Sequence, residues 1–151
     1  MDIKHHTHPD QLEKYSFLWS EARLLLAAIA LFAGGVPAVY VVAPALGVFP
    51  IVRTLLTLGW IISDATSVYL LYRWNAKGRK VFGGDEKKDV AAFWVMIISG
   101  VNLGFAGLSG VNIGFSITSA RLILIIVAFA YLASAWHLHK RWKSSGEKLF
   151  I

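Results

Sequence analysis

Apolar and polar residues in this chain separate on the scale of whole segments. Four runs carry almost no charge: Leu24 to Ala43, Thr54 to Tyr72, Val90 to Leu108 and Leu122 to Leu138. Each is 17 to 20 residues long, against the ~20 that a helix rising ~1.5 Å per residue needs to cross bilayer hydrocarbon. Lipid offers no partner to a backbone N–H or C=O, so each run predicts a helix, which pairs those groups within itself. Strands of a membrane barrel would alternate apolar and polar residues, and these runs do not. The pattern predicts an all-α, polytopic integral membrane protein with four transmembrane helices.

A second pattern orders the runs. The sequence L-x-x-R-W-x-x-x-G-x-K-x-F occurs as Leu70, Arg73, Trp74, Gly78, Lys80, Phe82 and again as Leu138, Arg141, Trp142, Gly146, Lys148, Phe150, with an offset of 68 residues at every position. Each copy ends an apolar run, so the chain reads as two tandem two-helix hairpins, a parallel internal repeat about an axis along the membrane normal. The expected division is an N-terminal cytoplasmic or interfacial segment (1–20), a first hairpin (21–82), a cytoplasmic linker (83–89) and a second hairpin with a basic tail (90–151). The same offset aligns Glu21 with Asp89 and Arg53 with Arg121.

Local signals refine this picture. Pro9 and Asp10 suit a first helical turn, and Leu12, Tyr15 and Trp19 recur at helical spacing, which predicts a short interfacial helix in the N-terminal segment. Gly34-Gly35-Val36-Pro37 interrupts the first run and predicts a kink near Pro37. In the third run, Ser99-Gly100-Val101-Asn102-Leu103-Gly104-Phe105 is repeated as Ser109-Gly110-Val111-Asn112-Ile113-Gly114-Phe115. Each copy holds a G-x-x-x-G, the spacing that lets helix backbones approach closely in lipid. Residues 109–119 lie past the end of the span, as an outward loop or a re-entrant segment.

Composition agrees with a membrane class. Hydrophobic residues make up 56% of the 151 and charged residues only 16%, an excess of apolar surface that must face lipid or a partner. The absence of cysteine excludes disulfides and thiolate chemistry. A net charge of +6 points to anionic lipids and not to nucleic acid, because the charges sit in clusters between the runs. Thirteen of the fifteen Lys and Arg residues fall before Leu24, between Arg73 and Lys88, or after His139. Under the positive-inside rule this places both termini and the central loop in the cytoplasm, in a plasma-membrane, multi-pass topology.

Few residues carry candidate chemistry. Asp64 is the one acid outside the cytoplasmic clusters, and an ionised carboxylate in a span must be paired, neutralised or wetted. Asn102 is a possible partner from the third span. Arg53 is too distant, since eleven residues of helix cover ~16 Å. Arg53 and Arg121 stand at equivalent outer positions and either snorkel to lipid phosphates or capture an anionic head. Arg73, Trp74, Lys77, Arg79, Lys80, Arg141, Trp142 and Lys148 form two basic, aromatic tails suited to the headgroup layer and its anionic lipids. His5, His6 and His8 read as an exposed tail, while His137 and His139, two apart, cannot share a helical face. No catalytic residue, metal site or cofactor is expected.

The run Tyr69-Leu70-Leu71-Tyr72-Arg73-Trp74, with Val81-Phe82 shortly after, resembles the end of the second span in GtrA-type proteins. Those are small four-span proteins implied in moving polyprenyl-phosphate-linked sugars across membranes. The resemblance covers about a dozen residues, its spacing between Trp74 and Phe82 is longer than in that family, and an asparagine of the family's ending is absent. Two functions follow from the sequence. One is a non-enzymatic structural or accessory protein that organises lipids or partners. The other is a small transporter, channel or lipid-linked-substrate flippase component, possible as a homodimer, that uses Asp64 with Arg53 and Arg121.

Overall fold

In a computed structural model, which describes residues 8–37 and 39–151, the chain is all-helical. His5 and His6 lie outside the described residues. Among the described residues there are six helices: α1 (Pro9–Phe32), α2 (Val39–Val42), α3 (Phe49–Ala76), α4 (Lys87–Ser109), α5 (Ile113–Ile117) and α6 (Arg121–Ser144). Four of these, α1, α3, α4 and α6, are long and apolar enough to cross a membrane. Side chains such as Ile51, Leu122, Ile126 and Trp136 point outward, as a lipid-facing surface requires. In the bundle α1 and α4 each pack on both α3 and α6, whereas α3 and α6 do not touch among the described residues.

The first span differs from its expected register. It is not the run from Leu24 to Ala43 preceded by a separate interfacial helix. Residues 9–20 are instead the first three turns of one continuous helix that ends at Phe32. Gly34 and Gly35, at φ 92° and 89°, end it in the left-handed conformation that glycine adopts without a Cβ penalty. Their amides close back onto Leu31 O and Ala30 O at 3.0 and 2.7 Å. Pro37 therefore follows a helix end and does not kink a helix. The length lost there is regained at the N-terminus, where Pro9 at the first position and Asp10 in the first turn suit a helix start.

That start is polar, yet it is buried. Glu13 is 5% exposed and accepts hydrogen bonds from Arg73 Nε (3.1 Å) and Nη2 (2.8 Å). Its other oxygen accepts the backbone amides of Leu149 and Phe150 at 3.2 and 3.1 Å. One carboxylate thus ties α1 to the end of α3 and to the C-terminal tail. Asp89, fully buried at the start of α4, receives Arg141 Nε (3.0 Å) and Nη2 (2.9 Å) on one oxygen and His137 Nε2 (2.6 Å) on the other. The two arginines of the repeated pattern are thus each bonded to a buried carboxylate, across 60 residues in one case and 52 in the other. The partner of Arg73 is Glu13, and not the Glu21 that a uniform 68-residue offset aligns with Asp89.

The turns that follow are built alike. Arg73 O and Trp74 O accept the amides of Lys77 and Arg79, both at 2.9 Å, while Arg141 O and Trp142 O accept those of Ser145 and Glu147 at 2.9 and 3.0 Å. Gly78 and Arg79 lie at φ 75° and 63°, and Gly146 and Glu147 at 66° and 62°. Between the two exits Phe82 N donates to Leu149 O at 2.8 Å. Phe17 stacks with Trp142, and Trp74 and Phe150 both stack with Phe93, at ring separations of 5.2 to 5.8 Å. These aromatic rings fill the end of the bundle where both exits lie.

Glu147 fastens this end by its surface. It accepts Lys14 Nζ and Lys143 Nζ, each at 2.6 Å, and these hydrogen bonds lower its pKa from 4.5 to about 2. A depressed acid stabilises the fold above its unfolded pKa and loses that contribution as pH falls through the folded one. Between pH 4.5 and about 2 the chain should lose melting temperature, and Glu147→Gln should flatten that loss in a thermal unfolding series. Glu13→Ala leaves Arg73, with its side chain only 15% exposed, and two amides without their acceptor. It should cost about 3–5 kcal/mol in a denaturant titration in micelles. Asp89→Ala should cost less, because the Arg141 side chain is 36% exposed and can turn to water.

Candidate functional site

At the opposite end the helices stop short of one another and leave a cavity of about 1180 Å³. Its walls are apolar, formed by residues such as Leu26, Ile29, Leu56, Leu103 and Val127. Trp19, Arg23, Ser63, Ser99 and Tyr131 line its inner end, and Arg53, Tyr40 and Phe115 line its outer end. Among the described residues the lining holds two charged groups, Arg23 and Arg53, and no carboxylate, lysine or histidine.

The inner end is built from α1, α3 and α4. Trp19 Nε1 donates to Ser63 Oγ at 3.1 Å, and Ser63 Oγ donates to Gly59 O at 2.7 Å. Arg23, one turn further along α1, is 6% exposed. Its Nη2 donates to the Met96 carbonyl at 2.6 Å and its Nη1 to Ser67 Oγ at 3.3 Å, while Nε is buried without a partner. Gly100 makes this placement possible, since a Cβ there would overlap Arg23 Nη1 and Ser67 Oγ.

The outer end is held by the duplicated Gly/Asn segment. Asn102 Nδ2 donates to Asn112 Oδ1 at 3.1 Å, and Asn102 Oδ1 accepts the Gly114 amide at 3.3 Å. Asn112 also caps α5 by accepting the Phe115 amide at 3.2 Å. The ring of Phe115 then lies against Gly35, where a Cβ would overlap it. Residues 109–119 are thus a turn and a short helix laid across the cavity mouth, and Asn102 is bonded to this segment and not to Asp64.

Asp64 sits elsewhere. It is half-buried, lies outside the cavity lining, and makes no hydrogen bond or ion pair among the described residues. Its Cβ and Cγ pack on Gly104, where an added Cβ would overlap them. Trp60, Asp64 and Ser67, spaced along one face of α3, meet Gly107, Gly104 and Gly100 of α4, the close packing expected of a small-residue stripe. Arg53 and Arg121 are both exposed and unpaired among the described residues, but only Arg53 lines the cavity.

The tail residues divide into two groups. Arg73 and Arg141 form the internal ion pairs described above, Trp74 packs on Phe93 and Trp94, and Trp142 is 2% exposed within the core. Lys77, Arg79, Lys80 and Lys148 are exposed, with Arg79 bonded to Asn75 at 3.1 Å. Sequence reasoning missed Arg23, Glu13 and Asp89. Arg23 borders the first apolar run and reads there as one more cytoplasmic cation, although its position one turn past Trp19 carries it inward once the helix starts at Pro9.

Comparison with protein-family models, curated proteins and solved structures finds no match to this chain. The glycine contacts give a direct check on the α3–α4 packing. Gly104→Ala should destabilise the bundle by about 1–3 kcal/mol through overpacking, and Asp64→Gly in the same chain should recover part of that loss in a double-mutant cycle.

Proposed function

We propose that this is a non-enzymatic multi-pass membrane protein that holds an amphiphilic, lipid-like molecule in the cavity between its helices. The observation that carries the reading is the cavity itself, about 1180 Å³ with mostly apolar walls, inside a bundle whose four long helices suit a membrane. Binding sites for small molecules are typically ~300–1,000 Å³, so this one has room for an acyl chain together with its head. Among the described residues its lining offers no carboxylate, histidine or lysine to act as a base, which favours holding or passing a molecule over converting it.

The wider architecture in this proposal is two tandem hairpins. The paired contacts of Arg73 and Arg141 and the matching exit turns support it, with the first unit eight residues longer between carboxylate and arginine, 60 against 52. Both termini lie in the cytoplasm of a plasma-membrane protein on the positive-inside argument. The exposed Lys77, Arg79, Lys80 and Lys148 then meet anionic headgroups, each contributing ~1 kcal/mol of attraction.

A cavity-filling variant tests the reading. Ala27 lines the cavity, and Ala27→Trp should lower the amount of lipid retained by the purified, detergent-solubilised chain at least fivefold, by native mass spectrometry, without lowering its melting temperature. Equal retention by wild type and variant would overturn it.

A further inference from the structure

The geometry points to Arg23 as a receptor for an oxyanion, a phosphate or carboxylate, carried as the head of the molecule that fills the cavity. This rests on the reading of the cavity as an amphiphile site and adds the chemical class of the ligand. Arg23 lies more than halfway along a spanning helix and is 6% exposed, yet no carboxylate lies within 4.0 Å of it among the described residues. The buried carboxylates Glu13 and Asp89 each have an arginine. A guanidinium carries five N–H donors. Two are used here, on a serine hydroxyl and a backbone carbonyl. Both acceptors are neutral, so the positive charge is uncompensated and three donors, the buried Nε among them, have no protein acceptor among the described residues.

Leaving a charge so placed costs several kcal/mol, and an anion supplied by a ligand offsets that cost. A guanidinium fork matches the paired oxygens of a carboxylate or phosphate. The surroundings select the same sign of charge. Among the described residues Arg53 is the other charged residue of the lining, and no acid is present there, so a cationic head is repelled and a zwitterionic one brings an unpaired positive group into the cavity. Ser67, which shares Arg23, lies fourteen residues from Arg53 along α3, a rise of ~21 Å. Arg53 therefore stands near the mouth and Arg23 at the inner end. A head passes the first and is held by the second, with its chain against the apolar walls.

The experiment uses the full chain in a mild detergent, with binding read from tryptophan fluorescence, since Trp19 and Trp60 both line the cavity. The probes are lysophosphatidic acid, lysophosphatidylcholine of the same chain length, and inorganic phosphate. Wild type should bind the phosphate-headed lipid at least tenfold more tightly than the choline-headed one. Arg23→Gln should reduce that ratio to about one while still binding both, and Arg23→Lys should keep a partial preference. Weak or absent competition by millimolar inorganic phosphate assigns the oxyanion to an amphiphile. Full competition would instead assign it to a free anion and overturn the amphiphile part of the inference. Equal affinity of wild type for the two lipids would overturn the role of Arg23 altogether, whether or not the variants fold. Failure to bind either lipid would overturn the cavity reading beneath it.

Discussion

A charge in a membrane span has no solvent to fall back on, and the whole bundle is arranged around that constraint. Glu13 sits one turn inside α1 and Asp89 in the first turn of α4, where an unpaired buried carboxylate would be costly. Each is met by an arginine near the C-terminal end of another long helix, Arg73 of α3 or Arg141 of α6, and the acceptors left over take an imidazole or two backbone amides. Such a pair is weak evidence of net stability, since the same volume of apolar side chain could do as well. Its effect here is on register. A carboxylate fixed to one arginine and to the amides of Leu149 and Phe150 allows one rotation of α1 and one course for the tail.

Fixing that end determines what the other end can be. Aromatic and aliphatic side chains fill the exit half, with Phe17, Phe93, Leu138 and Trp142 all at or near zero exposure. Beyond them the packing changes. The glycines of α4 bring α3 against it, while α1 ends at Phe32 and reaches α6 near its own end through Phe32 and Phe129, 5.2 Å between ring centres. Close approach on one side and a short helix on the other leave space between them, and that space is the cavity. Its mouth is crossed by the segment from Asn112 to Thr118, which is held by side-chain bonds to Asn102.

The four spans were legible in the sequence because lipid imposes length and backbone pairing on each one separately, so each run carries its own signal. Register within the first span was not legible. Glu13, Glu21 and Arg23 read as a cytoplasmic segment by polarity alone, and their burial depends on partners dozens of residues away, Arg73 and His139 among them. The end of α1 was half legible: Gly34, Gly35 and Pro37 marked an interruption, but whether glycines end a helix or bend it depends on what packs beyond, in this case the ring of Phe115. The repeated tail was legible as a pattern and less so as a structure. Its arginines and tryptophans read as a headgroup anchor because amphipathic residues at a span end do look alike from outside, whereas Arg73 and Trp142 are turned into the bundle, Arg141 bonds the buried Asp89 with part of its side chain still exposed, and the lysines and Arg79 remain at the surface.

Asp64 and Arg23 show why the more conspicuous charge is not the more informative one. Both lie in spanning helices, and neither has an oppositely charged partner among the described residues. Asp64 is half-buried, packs against Gly104 and lies outside the cavity lining. Arg23 is 6% exposed within that lining, and a guanidinium keeps its charge at physiological pH. Its charge must be answered by something outside itself, and where the protein supplies only a hydroxyl and a carbonyl the remaining answer is the contents of the cavity. The position of Gly100 supports the same order of importance, because a methyl group there would expel the guanidinium from its seat. Space has been kept in the backbone of α4 for a buried cation that no carboxylate meets among the described residues.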